Sequence, residues 1–520
     1  MKGTQLKRLI LLVITLIVVA LLGNSLVASL GEPQVTGRLQ LYQTDLLLQA
    51  TEIGINADDA DLTAARNALV GEKPFETALE QYQSVRESAE TSLNKFQAEL
   101  QTSPAPSGSE VVPTTPGVRP VESPENRQLQ SAIQQQQTLL NQLDLRIGLL
   151  QAEQGNVSEA IATWTALVNQ TSAETTTDSL IRTTNVLIGL WNEPPRILPD
   201  AEEQLQRQLD GWFRYRALTR LYGLQQRSEA LQALQATAET TAQQTLVKLA
   251  LVGILPAVGG IIGFVLLVIV IARSLVRKQA DSENLAWEVP WEWETILQVL
   301  IIGFFFMGQV LIPLILGSLG LNFTGFGSRA KAAYTLTYYL LMAGSGLLVL
   351  FLSIKSYLPL PEGWFRLKGQ RNWVGWGVGG YFVALPLMLG VSLINQQIWQ
   401  GQGGSNPLLQ TVLEEGDTLA LGMFFFTAAI AAPIFEELLF RGFLLPSLTR
   451  YVPVWGAIGL SALLFAIAHL SFSEVLPLLV LGAILGFVYT RSRSILAPML
   501  LHSLWNSVTM IGLLILGSGA

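Results

Sequence analysis

The 520-residue chain contains no cysteine. Disulfides, thiolate metal sites and a cysteine nucleophile are therefore excluded. Charge is scarce, at 14% of residues, and the net charge of −7 leaves no basic stripe for nucleic acid. No aspartate follows Asp417 and no lysine follows Lys368, so the C-terminal region holds neither an aspartyl dyad nor a Ser-Lys dyad. Histidine occurs only twice, at His469 and His502, both in apolar runs of that region. A polar imidazole in a membrane segment is costly and marks a functional site by default.

What remains is apolar: half of the chain is hydrophobic, and unevenly so. A polar, Gln/Glu/Thr-rich block covers residues 31–245, and nearly continuous apolar runs follow to the end. This pattern predicts an all-α, polytopic membrane protein of about eight or nine spans, carrying an inserted extracytoplasmic helical domain. Residues 1–30 read as an uncleaved membrane anchor, with a signal peptide as the alternative. Residues 246–372 hold spans and cytoplasmic loops, with spans near 246–272, 295–316 and 334–353, and residues 373–520 form the C-terminal membrane domain. Lys2, Lys7 and Arg8 place the N-terminus in the cytoplasm; Arg273, Arg277 and Lys278, then Lys355, Arg366, Lys368 and Arg371, mark later cytoplasmic segments. Arg329 and Lys331 lie on an external loop and fit this rule less well.

Within the polar block, residues 76–100 carry apolar positions at steps of three and four, from Leu79 and Tyr82 to Phe96 and Leu100, as an amphipathic helix does. Residues 102–126 are rich in Pro, Ser and Thr and read as a linker. Gly148, Gly155, Asn156, Ala160 and Trp164 fall at the spacing of a tetratricopeptide repeat, and a fainter copy surrounds Ser228-Glu229-Ala230. Any helical hairpin with a small residue at its crossing would look similar. A repeat would imply a protein- or peptide-binding surface. Gly375/Gly379 and Gly482/Gly486 are GxxxG pairs suited to close helix packing.

After Asp417, formal charge is confined to Glu436, Glu437, Arg441, Arg450, Glu474, Arg491 and Arg493. Arg450, Arg491 and Arg493 fall at span ends and Glu474 in a short loop, leaving Glu436, Glu437 and Arg441 inside the apolar sequence with the two histidines. Unpaired ions there would each cost several kcal/mol, so these groups should cluster or line a wet cavity. At about 1.5 Å per residue, Glu436, His469 and His502 lie about 21, 22 and 14 Å from the cytoplasmic edge, inside a core about 30 Å thick. Glu437 and Arg441 are spaced to pair along one helix face, as are His502 and Asn506 to reach one cavity. The expected partnerships are Glu436 and Glu437 with His469, and Asn506 with His502. Pro433 is expected to break or kink the helix before the carboxylates.

This inventory suits peptide hydrolysis in two ways. The two histidines and one of the two glutamates could ligate a divalent metal such as zinc, with the second glutamate as general base. Without metal, Glu and His could activate water while the second His and Asn506 stabilise the oxyanion. Ser461, in Gly459-Leu460-Ser461, leaves a Ser-His pair formally open but the buried carboxylates unexplained.

Three segments resemble the motifs of the CPBP family, the type II CAAX prenyl endopeptidases and bacteriocin-processing (Abi) intramembrane proteases. They are EExxxR at Glu436-Glu437-Leu438-Leu439-Phe440-Arg441, FxxxH ending at His469, and HxxxN from His502 to Asn506. The resemblance covers residues 373–516 and says nothing of residues 1–245. It implies an intramembrane metalloprotease whose catalytic residues are Glu436, Glu437, Arg441, His469, His502 and Asn506. Glu436 would be the base, Glu437 and Arg441 would shape the site, and the remaining three would hold water, metal or the oxyanion. The implied substrate is a membrane protein or peptide, with a protein partner for the 31–245 domain. The alternative is a non-proteolytic membrane scaffold or immunity factor that recruits partners through that domain. A transporter would need two inverted halves, and no such repeat is found.

Overall fold

The computed structural model describes residues 3–30, 35–53, 70–102, 124–170, 175–276, 286–319, 327–367, 372–399, 403–405, 411–412 and 416–517. Most of the Pro-rich stretch 102–126 lies outside them, as do Arg277, Lys278, Lys368 and Arg371. Among the described residues the regular structure is helical, with no strand. The chain divides into two compact units, one of residues 1–35 and 252–518, the other of residues 36–251.

Helix α1 (Gly3–Ser29) opens the first unit. The second unit contains α2 (Val35–Ala50), α3 (Pro74–Thr102), α4 (Pro124–Glu153), α5 (Val157–Gln170), α6 (Thr175–Trp191), α7 (Ala201–Gln208), α8 (Gly211–Leu224) and α9 (Ser228–Leu249). The amphipathic stripe of α3 buries Tyr82, Val85, Ala89 and Phe96. The core also takes Leu149, Leu150, Trp164, Leu187, Trp212 and Phe213. α4 and α5 cross where the sequence has a glycine: a Cβ on Gly148 would lie 2.2 Å from Trp164 Nε1. That indole N–H donates to the Leu145 carbonyl at 3.1 Å, which fixes the hairpin.

The first unit continues with α10 (Leu255–Val276), α11 (Trp293–Ser318), α12 (Ser328–Ile354), α13 (Trp373–Trp399), α14 (Thr418–Leu448), α15 (Val454–Ile467), α16 (Phe472–Ser492) and α17 (Leu496–Gly517). Among the described residues eight helices are long and apolar enough to cross a membrane, and α15 is a shorter apolar helix. Lipid offers no hydrogen bonds, so the backbone must satisfy itself within each segment, and helices are the result. The chain is an all-α, multi-pass integral membrane protein. Large apolar side chains such as Ile261, Phe264, Leu389 and Leu393 stand exposed, as lipid-facing groups do.

Small residues set the crossings. Gly482 and Gly486 let α16 approach Ala462 and Ile458 of α15, as their spacing predicts; an added Cβ would meet them at 3.0 and 3.1 Å. The Gly375/Gly379 expectation fails. Gly379 faces open space and Gly375 meets only Asn372, whereas Gly377 and Gly380 bring α13 against Ala497, Leu500 and Leu501. The contact face of α13 is therefore shifted from the one the repeat suggested.

Candidate active site

Pro433 shapes α14 without breaking it. The helix runs from Thr418 to Leu448, with π-helical turns at Thr427–Ala431 and Glu437–Leu444 on either side of the proline. The expected break is corrected to two wider turns, a form frequent at functional sites. Pro433 has no N–H to offer the carbonyls one turn back. Two of these are capped from α17: Ser503 Oγ donates to Ala429 O at 2.5 Å and Asn506 Nδ2 to Ala428 O at 2.7 Å. Asn506 therefore joins α17 to α14 rather than pairing with His502.

One π-helical turn further, Glu437 and Arg441 are fully buried and paired at 2.6 Å, as their spacing predicts. The same carboxylate oxygen, Glu437 Oε1, accepts from His502 Nδ1 at 2.8 Å. A carboxylate only accepts, so this contact fixes the proton on Nδ1 and turns Nε2 outward. Arg441 reaches further: Nη2 donates to Gly482 O at 3.2 Å, and the guanidinium lies 4.4 Å from the Phe465 ring centroid. Gly482 is needed here, since a Cβ would stand 3.3 Å from Nη2.

Glu436 has a different setting. Its side chain is 14% exposed, against 0% for Glu437. Oε1 accepts from the Tyr339 hydroxyl of α12 at 3.2 Å, and Oε2 lies 3.9 Å from His502 Nε2. That separation exceeds a hydrogen bond.

His469 sits just beyond α15, before Leu470 in a left-handed conformation (φ +58°). Its Nδ1 donates to the Phe465 carbonyl at 2.9 Å, which fixes its tautomer and leaves Nε2 as the acceptor of the neutral ring. The expected partnership of His469 with the carboxylates is thus corrected: both glutamates face His502. Phe465 lies against both histidines, its ring packed edge-on with the imidazoles of His469 and His502 at centroid distances of 5.0 and 5.8 Å. Ser461 donates to Phe440 O at 3.0 Å and is buried, so its hydroxyl serves helix packing.

The fit of a metal can be judged from these donors. Among the described residues, no three His, Asp or Glu side chains are gathered as a ligand set. Glu437 Oε1 already receives two donors, and His502 Nδ1 is committed to it. His469, His502 and Glu437 are thus not gathered as a ligand set among the described residues, although each histidine keeps Nε2 free of its Nδ1 contact.

Tyr339 and Ser503 were missed by sequence reasoning. Tyr339 is one of three tyrosines within a single span, with Tyr334 and Tyr338, and nothing in its spacing separates it from them. Ser503 had a signal, being adjacent to His502.

Residues 418–508 match the family model described as type II CAAX prenyl endopeptidase Rce1-like. They carry an Rce1-like domain. All three motifs fall inside it. Among curated proteins, the chain is 24% identical over 227 residues to the membrane-embedded CAAX protease MroQ of Staphylococcus aureus, spanning 42% of this chain and 88% of that protein. It is 25% identical over 148 residues to the putative membrane peptidase YdiL of Bacillus subtilis, covering 28% of this chain and 59% of that protein. A third match, the UPF0177 protein YxdF of Lactococcus lactis, is 36% identical over 84 residues, 16% of this chain and 44% of that protein. No solved structure matches. The Rce1-like domain and these relatives support membrane peptidase activity.

Proposed function

We propose that this chain is an intramembrane endopeptidase in which Glu436 is the general base and the Arg441–Glu437–His502 chain orients the group opposite it. The observation that carries this reading is the contrast between neighbours. Glu437 is sealed and shared by two donors, whereas Glu436 is partly accessible and faces His502 Nε2 across 3.9 Å. Buried charges without an accessible face stabilise or orient; a carboxylate with one can exchange a proton with a reactant.

Glu436 takes a proton from a water as its oxygen bonds to the scissile carbonyl carbon. His502, held by Glu437 through Nδ1, orients its Nε2 edge toward the reacting carbonyl. Glu436 then passes its proton to the leaving amine as the C–N bond breaks. Tyr339 orients Glu436 through Oε1, and His469 presents Nε2 to the substrate side. No step is routed through a metal, because the expected donors are not gathered.

The substrate in this proposal is a membrane protein or peptide, and the unit of residues 36–251 is where a protein partner docks. Basic residues flanking the spans put the N-terminus in the cytoplasm and residues 31–245 outside. Quantitative membrane peptidomics of cells carrying wild-type or Glu436→Gln protein tests the reading. Uncut peptides should accumulate in the variant at equal protein abundance. Identical peptidomes would return the chain to the scaffold alternative.

A further inference from the structure

The turn that carries His469 is held from outside its own two helices. α15 ends at Ile467, Leu470 takes its left-handed conformation, and α16 begins at Phe472. The first N–H groups of a helix have no partner within it. Ser471 stands in the capping position, but its hydroxyl makes no cap and donates instead to Gly403 O at 3.1 Å. The Ser473 N–H also donates to Gly403 O at 3.1 Å, and the Ser473 hydroxyl donates to Gly404 O. The Phe472 N–H is served by α1: it donates to Ser29 Oγ at 3.1 Å. Ser29 is buried, and its own proton goes to Leu26 O at 2.7 Å, which leaves the hydroxyl oxygen to accept.

α1 also reaches the other side of His469. Ala468 packs against the cluster that Val18 of α1 forms with Ile301 and Phe305 of α11. Toward its opposite end α1 is tied to α11 again, by Arg8 and Glu294 at 2.6 Å. Arg8 and Ser29 stand about 32 Å apart along a helix, so these ties set the height at which Ser29 meets Phe472. The contacts at Ala468 and Phe472 bracket His469 along the chain. Between them, left-handed Leu470 is a strained residue, and such a residue persists only where its surroundings over-determine it.

We propose that Ser29 is a positioning residue for His469: by capping α16 from α1, its hydroxyl sets where the imidazole Nε2 is presented. The consequence for cleavage rests on the peptidase reading, in which that edge faces the substrate. α1 is then a wall of the site as well as an anchor. An accepting hydroxyl is what Phe472 requires, so threonine can replace Ser29 and alanine cannot.

Nuclear magnetic resonance of the full chain in nanodiscs, with isotope-labelled histidine, tests the link without any substrate. The chain has only two histidines, and His469→Gln and His502→Gln assign their ring signals. Ser29→Ala should move or split the His469 signals and leave those of His502 in place, and Ser29→Thr should restore the wild-type spectrum. With a cleaved peptide, Ser29→Ala should lower kcat about three- to tenfold at a KM within about twofold of wild type, the scale of one lost hydrogen bond. Ser29→Thr should recover that loss. An unchanged His469 spectrum in Ser29→Ala, or equal displacement of both histidines, would overturn the proposal. If Ser29→Ala does not fold, Phe472→Pro decides by the same criteria, because it removes the donor at a position where proline suits a helix start. A wild-type chain that cleaves no peptide sinks the peptidase reading, while the spectrum still decides whether Ser29 places His469.

Discussion

Two arginine-centred clusters, one in each unit, solve the same problem under different solvents. Arg146 keeps 24% of its side chain exposed and spreads over Asp45 at 3.2 Å, the Tyr82 hydroxyl at 3.2 Å and Asp210 at 2.8 Å. Arg441 is fully buried and takes one carboxylate, one backbone carbonyl and one aromatic face. Where water reaches, a cluster can carry surplus carboxylate cheaply, since Asp210 is half exposed. Inside the membrane unit Arg441 draws its further partners from backbone and ring, while Glu437 Oε2 and Arg441 Nε have no hydrogen-bond partner. Against that background Glu436 stands out as a second carboxylate with only a tyrosine hydroxyl on it.

The comparison breaks most visibly if each arginine is removed. Arg441→Leu leaves Glu437 buried and without its cation, a loss of about 3–5 kcal/mol. Thermal unfolding in detergent should show the variant destabilised or absent from the membrane fraction. Arg146→Met should cost less, about 1–3 kcal/mol, because one of its partners, Asp210, is half exposed. Equal losses for the two would erase the proposed difference between solvents.

Catalysis separates the two glutamates next. Glu436→Gln should lower peptide cleavage by about 10²–10⁴-fold, the usual contribution of a general base. Its unfolding temperature should stay near wild type, because Glu436 is not paired with Arg441. Tyr339→Phe removes one hydrogen bond to Glu436, worth about 0.5–1.5 kcal/mol, and should reduce cleavage severalfold with little loss of stability. A Tyr339→Phe enzyme of unchanged rate and pH profile would show that the hydroxyl does not tune the base.

A pH dependence is expected from the Arg146 cluster. Burial raises the Asp45 carboxyl to about 6, although Arg146 and Tyr82 oppose the rise. The folded state then holds a proton that the unfolded chain releases near pH 4. The Asp45 contribution to stability is largest below about pH 4, falls as pH rises to about 6, and is constant above. Asp45→Asn should remove this slope, read as the difference in unfolding temperature between variant and wild type across that window. A difference that grows in the opposite sense would contradict the assignment.

The sequence disclosed much of this site because charge is so rare in its C-terminal region. Glu436, Glu437, Arg441 and His502 could be picked out by cost alone, and the four-residue step from Glu437 to Arg441 already specified their pairing. Which histidine meets the glutamates was not legible. His469 lies past a helix end, and the turn at Leu470 that folds its ring onto the Phe465 carbonyl has no periodicity to read. The role of Asn506 was hidden for a related reason: its acceptor is a backbone carbonyl freed three elements away, and only the packing of α17 on α14 brings them together. Helix existence was easier, since long apolar runs and the stripe of α3 repeat a physical signal many times over. The contact face of α13 was misread because Gly375/Gly379 and Gly377/Gly380 differ by less than one turn.

The division of labour between adjacent carboxylates is the central claim. Its most direct test measures cleavage of an accumulated peptide and thermal unfolding together for Glu436→Gln and Glu437→Gln in nanodiscs. The account predicts that Glu436→Gln loses cleavage at wild-type unfolding temperature, whereas Glu437→Gln loses stability along with cleavage. Cleavage at the wild-type rate by Glu436→Gln, or equal destabilisation by the two substitutions, would contradict it.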